Sequence, residues 1–146
     1  MSNTQAIANA FRSDILTTGY NLSTKSFKAA IFFTASTVNA TTAAYTTTGE
    51  ATGTGYTAGG AAVTNGVAVT GLNTTITGDT YYWTPSAAIT WTTVTIAAFD
   101  TIQIYDSVTP FRILGNWNIG NQTVTAGNIT INQPVNAVAT ALVRLL

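Results

Sequence analysis

The alternation of apolar and polar positions opens on a period near four and then changes to a period of two. Over residues 2–16, Ile7, Phe11 and Ile15 recur every fourth position with Ala6 and Ala10 beside them, which makes one apolar stripe on a helix. Ser2, Asn3 and Thr4 suit an N-terminal cap, and Gly19 suits a stop just past the end. From residue 26 onward only strand patterns appear. Phe27, Ala29, Ile31 and Phe33 alternate to one face over residues 26–34, with Lys28 and Ala30 on the other. Residues 36–48 are small and polar and read as loop. Residues 61–70 resume the strand pattern, with Asn65-Gly66 as a turn or bulge signal, and residues 74–76 and 80–83 predict short strands around Gly78-Asp79. After Pro85 come strands at residues 88–97 and 101–105, then a turn at 106–110. A strand over residues 111–119 carries a bulge at Gly115. Segments 123–125, 128–131 and 139–145 complete the set, the first two joined by a tight hairpin at Ala126-Gly127. The closing Ala-Leu-Val-Arg-Leu-Leu is apolar enough to predict a buried C-terminal strand.

About eight to ten short strands with a single helix predict an all-β chain, a jelly-roll-like β-sandwich rather than a βα repeat. One domain spans residues 1–146, with a helix or arm over 1–19 and the sandwich over 20–146. The helix has two readings: a lid over an open end or sheet face, or an arm that docks on a neighbouring subunit. A membrane-surface helix is disfavoured because its polar face is not basic.

Residues 45–60 interrupt the strands with Y-T-T-T-G-E-A-T-G-T-G-Y-T-A-G-G, five glycines in sixteen residues. Such a density implies backbone conformations that side chains forbid. With Tyr45, Glu50 and Tyr56 among the glycines, the stretch reads as an ordered connection between early strands.

Composition supports the strand reading. The chain has 31 threonines, and its charged residues make up 7% where about 25% is ordinary. Five basic and five acidic residues cancel, so there is no basic footprint for nucleic acid. A neutral chain this poor in charge is expected to be poorly soluble alone and to work assembled, much of its surface covered. No apolar run is long enough to span a membrane, and the N-terminus lacks a signal-peptide pattern. Synthesis in the cytoplasm is expected.

Cysteine and histidine are both absent, which removes disulfides, thiolate metal sites and the commonest base and nucleophile pairings. The carboxylates are scattered, so no enzyme and no cofactor are expected. Asp79, Asp100 and Asp106 are calcium candidates in principle, but each reads better as a solvated turn residue. G-T-G-Y-T-A-G-G can be weighed as a phosphate loop, a packed turn or an interface loop. The first needs a lysine or a following helix, and neither is present. Tyr81, Tyr82, Trp83, Trp91 and Trp117 read first as core, then as a contact surface, and last as a glycan platform.

Several of these segments together resemble a family of small virion proteins of tailed bacteriophages. The likeness rests on residues 27–33, Tyr45-Thr-Thr-Thr-Gly-Glu50 and Gly53-Thr-Gly-Tyr-Thr-Ala-Gly-Gly60. It continues through Trp91-Thr-Thr, Ile104-Tyr105-Asp106 and Thr123-Val-Thr-Ala-Gly-Asn-Ile-Thr-Ile131. Ala51, where the family pattern has a bulky β-branched residue, and the aromatic surroundings of Trp117 depart from it. The resemblance implies a capsid cement or decoration protein on the outer surface of the virion. Its implied partners are the major capsid protein and further copies of itself in a homotrimer, with neither nucleic acid nor membrane. A tail or head-tail adaptor component and a carbohydrate-binding adhesion module are the alternatives. The implied interface loop comprises Tyr45, Glu50, Gly53, Gly55, Tyr56, Gly59 and Gly60. The apolar handles are Ile7, Phe11 and Ile15 on the helix and Leu145 and Leu146 at the C-terminus.

Overall fold

The computed structural model describes residues 3–63, 81–134 and 142–145. The fold is all-β with one short helix. Five antiparallel strands form the main sheet: β1 (Ala6–Ile7), β2 (Phe27–Phe33), β3 (Ala61–Val63), β5 (Ile89–Asp106) and β6 (Ile113–Ile131). Their order is β1-β6-β5-β2-β3. Two further strands, β4 (Tyr81–Trp83) and β7 (Val143–Leu145), pair antiparallel in a sheet of their own. The Trp83 ring packs on Phe27 with centroids 5.2 Å apart, which sets β4 against β2 and closes a sandwich-like core. That core holds Phe27, Ile31, Phe32, Ile96, Phe99, Ile113 and Leu114, all buried.

The helix departs from expectation. α1 covers Asn9–Thr17, not residues 2–16, and no side chain caps its start at Ala8. Tertiary partners take the preceding residues instead. The backbone amide of Thr4 donates to Val38 O at 3.1 Å, β1 pairs with Gly115 and Asn116, and the Ala8 amide donates to Leu114 O at 2.9 Å. Asn3, expected as a cap, is buried; its amide group donates to Phe33 O and Asp100 Oδ1 and accepts from Ser36 Oγ and the Val38 amide. Gly19, at φ +63°, stands just past the helix as predicted. Phe11 is fully buried, with Tyr20 edge-on to it at 5.5 Å, so α1 covers the core of its own domain.

The ribbon of β5 and β6 is longer than the sequence suggested. Segments 88–97 and 101–105 are one strand, and segments 111–119, 123–125 and 128–131 are another. The expected hairpin at Ala126-Gly127 is not there: Gly127 lies inside β6, opposite Val94. The apparent breaks are bulges. Register shifts fall between Trp91 and Thr101, with positive φ at Thr93, Ala98, Gly120 and Ala126. Small residues that look like punctuation in a sequence thus bend a continuous ladder. The bulge expected at Gly115 is present as a register shift beside it. Asn65-Gly66, Asp79 and residues 74–76 lie outside the described residues.

Candidate functional site

Residues 49–60 close two strand edges at once. Residues 49–51 run beside the end of β2: the Phe33 amide donates to Gly49 O at 3.0 Å and the Ala51 amide to Ile31 O at 2.7 Å. β3 covers the start of β2, pairing Ala61 with Ala29. Between these two pieces the chain leaves β2 and passes along β5, where Thr54 bridges Thr95 and the Thr95 amide donates to Thr54 O at 2.9 Å. The loop therefore takes the place of β2 where β2 ends.

Close approach explains the glycines. A Cβ on Gly60 would lie 1.1 Å from Ala29 O, at a φ of +59°, and one on Gly53 would lie 1.9 Å from Thr95 O. Gly55 and Gly49 are nearly as tight, against Thr93 O at 2.5 Å and Ser36 Cβ at 2.6 Å. Of the readings weighed for this stretch, the packed connection is the geometry found. A strand, β3, follows it directly in place of a helix that could offer amides to a phosphate.

Glu50 holds the loop from inside. Its carboxylate is buried and accepts three hydrogen bonds. The Tyr56 hydroxyl donates to Oε1 at 2.8 Å, the Gly59 amide donates to the same oxygen at 2.7 Å, and the Tyr45 hydroxyl donates to Oε2. Tyr56 also accepts the Ile31 amide at 2.9 Å, which fills the gap in the β2 ladder between residues 49–51 and β3. The Tyr105 hydroxyl donates to Gly59 O at 2.7 Å, and its ring stacks on Tyr45 with centroids 4.0 Å apart and planes within 5°.

Burial, first, and then the Glu50 carboxylate raise the pKa of Tyr45 well above the ordinary tyrosine value. Tyr56 is raised by burial and by Glu50 against the lowering effect of the Ile31 amide, and Tyr105 is pushed up to about 12 by burial and then by the charge of Glu50. All three phenols stay protonated and remain donors. The arrangement is a carboxylate saturated by donors, a clamp that fixes a loop rather than an open acceptor awaiting a substrate.

The structure thus brings Tyr45, Glu50, Tyr56 and Gly59 together, and seats Gly53, Gly55 and Gly60 against the neighbouring strands. Tyr105 completes the cluster; its place at the Ile-Tyr-Asp strand end gave no sign of that role. The apolar handles do not join it. Phe11 is buried in its own domain, Ile7 and Ile15 are half-buried, Leu145 is paired through its backbone with Tyr81, and Leu146 lies outside the described residues.

Asp100 and Asp106, expected as solvated turn residues, are both buried. Asp100 accepts from Asn3 and Thr101, while Asp106 accepts from Tyr20 and from the Val108 amide and lies 3.4 Å from Lys25. Among the described residues no group of three acidic side chains gathers to hold a metal. Trp83 and Trp91 are core residues and Trp117 is half-buried.

The fold and the clamp define the chain as an all-β domain with a carboxylate-pinned, glycine-rich edge loop. No protein-family model, curated protein or solved structure matches it.

Proposed function

We propose that the chain is a structural protein of a tailed-bacteriophage virion, of the capsid cement or decoration type. It binds the outer shell and bridges neighbouring major capsid subunits. The observation that carries this reading is the distribution of charge. Residues 51–63, 81–99 and 113–134, which supply the pinned loop and most of the long ribbon, contain no charged residue. Their exposed positions are threonine, asparagine, glycine and alanine for the most part. Such a surface gives up water to a protein neighbour without desolvating ions, and the clamp presents it in one conformation. The residues that carry the resemblance to small phage virion proteins also support it, because Ile31, Tyr45, Glu50, Tyr56, Gly59 and Tyr105 meet in that one clamp.

The test is location and effect. Purified protein is added to shells of the parent phage that lack it, and the particles are imaged by electron cryomicroscopy and heated. Density on the outer shell with a raised melting temperature of the head is expected. Density confined to the tail, or heads of unchanged stability, overturns the proposal.

A further inference from the structure

We propose that the turn joining β5 to β6, residues 107–112, is a second contact with the shell, seating Val108 and Phe111 in an apolar pocket rimmed by carboxylates on a major capsid subunit. The inference rests on the virion reading and adds to it the chemistry of one partner surface. Only three large apolar side chains are exposed among the described residues, and two of them are here: Val108 at 57% and Phe111 at 40%, with Pro110 exposed between them. The Phe111 amide donates to Val108 O at 2.8 Å, closing a four-residue turn that brings the two residues close. Apolar residues scattered singly over a surface need no explanation, but a pair raised on one turn does.

Phe111 stands at φ +56°, a left-handed conformation that bulky side chains rarely adopt. A turn that only had to join two strands would carry glycine or asparagine there, with no strain and no exposed ring. The surroundings hold the conformation. The Tyr45 amide donates to Phe111 O at 2.9 Å, the Ser107 amide to Ser26 O at 2.8 Å and the Asp106 amide to Arg112 O at 2.8 Å. Asp106 Oδ1 accepts the Val108 amide at 2.9 Å, and the Tyr20 hydroxyl donates to the other carboxylate oxygen at 2.7 Å. The apolar pair is thus presented in one conformation by a framework of described residues. Such presentation suits a shaped protein pocket, whereas a bilayer has no shape to match.

Charge defines the rim of that pocket. The Asp106 side chain is only 4% exposed while Lys25, 3.4 Å from it, is 36% exposed, so this pair turns its cation outward. Arg112 ends the turn, 2.6 Å from Asp14. Lys28 is exposed on β2, opposite Tyr105, and forms no ion pair among the described residues. Tyr105 stacks on Tyr45, whose amide holds Phe111, so Lys28 flanks the turn. No exposed acid among the described residues offsets these cations: Glu50, Asp100 and Asp106 are buried, and Asp14 is half-buried in its ion pair. A surface of this sign is complementary to carboxylates. The uncharged pinned loop reaches Thr95, well along β5 from the turn. A protein that bridges two subunits needs two contacts, and these two differ in chemistry.

The test is binding of the full chain to parent-phage shells that lack it, measured by cosedimentation at low salt and at about 1 M, where the screening length is about 3 Å. Val108→Ser with Phe111→Asn is expected to weaken binding by roughly tenfold to a hundredfold. Asparagine accepts a positive φ, so the free chain keeps its melting temperature. Lys28→Glu is expected to weaken binding by about tenfold at low salt and to lose most of that effect at about 1 M; it decides alone if the double variant fails to fold. Wild-type binding that the double variant leaves unchanged overturns this inference while the virion reading stands, and low-salt binding unchanged in Lys28→Glu overturns the acidic rim. A wild-type chain that does not bind shells overturns both readings. Cosedimentation with phosphatidylserine vesicles that the double variant abolishes, with shell binding intact, assigns the turn to a membrane and refutes the pocket.

Discussion

Replacing Glu50 by alanine tests the clamp directly. The substitution removes the acceptor of three donors, the Tyr45 and Tyr56 hydroxyls and the Gly59 amide. Tyr45 is half-buried and turns its hydroxyl to water. The other two donors stay inside, each costing about 1–3 kcal/mol when left without a partner. The expected loss is therefore about 4 kcal/mol, since it also frees the loop from β2. For a chain of this length about 1 kcal/mol lowers the melting temperature by roughly 2–4 °C, so a fall of roughly 8–16 °C is expected by calorimetry. Glu50→Gln is the control. It keeps the shape and one carbonyl oxygen for Tyr56 and Gly59, and the Tyr45 hydroxyl rotates to accept from the new amide. Only charge assistance is lost, and a fall about a third as large is expected. Amide exchange locates the effect: Ile31, Ala51 and Gly59 lose protection in Glu50→Ala while the Gln103 and Asn116 amides keep theirs. A melting temperature within about 2 °C of wild type, or an equal loss of protection across the sheet, would refute the clamp.

Three further outcomes follow from the same geometry. Gly60→Ala should be severely destabilising or fail to fold, because its Cβ would meet Ala29 O at 1.1 Å; Gly120→Ala, also at positive φ but with nothing within 4 Å, should cost about 1 kcal/mol in a denaturant melt. Tyr20, Tyr45, Tyr56 and Tyr105 all have raised pKa values in the fold, so above pH 10 the unfolded chain gives up protons that the native chain keeps. Stability is thus complete below pH 10 and falls as the pH rises towards about 12, the value for Tyr105; absorbance at the phenolate band should show these four titrating late, and ordinary titration near pH 10 would contradict it. Asn3→Ala leaves buried Asp100 without its amide donor and the Val38 amide without its acceptor, which should cost about 2–4 kcal/mol by thermal melting.

Strand type was legible where positions alternate, as at the start of β2, with Phe27 and Ala29 buried and Lys28 exposed, and in the pairs Ile89 with Trp91 and Val94 with Ile96 on β5; from Ala29 to Phe32 both faces of β2 are buried. Strand length was not. Ala98, Gly120 and Ala126 carry the backbone turns of a loop, yet the ladder continues through them because cross-strand partners hold both sides. The helix start was misplaced for a related reason. Capping propensity is a local preference, and Asn3 instead meets Asp100, 97 residues away, and Phe33, 30 residues away, whose proximity no local pattern encodes. The glycine stretch could be recognised as an ordered element from its density alone, and Glu50 could be singled out within it. That its three donors converge on the carboxylate depends on how the loop folds back on the sheet, with the Ile31 amide holding Tyr56 and Tyr105 holding Gly59, and that is a matter of register between strands.

The two edges of the ribbon are treated differently among the described residues. Along β5 the chain commits a glycine-rich loop, a buried carboxylate and three tyrosines to sealing the backbone beyond the end of β2. Along β6 it commits two residues of β1, and beyond them the described edge is bent by the bulges at Gly120 and Ala126. Pinned by Glu50 before any partner arrives, the uncharged loop beside β5 is the surface that we propose meets the shell, because little ordering entropy is left to lose there.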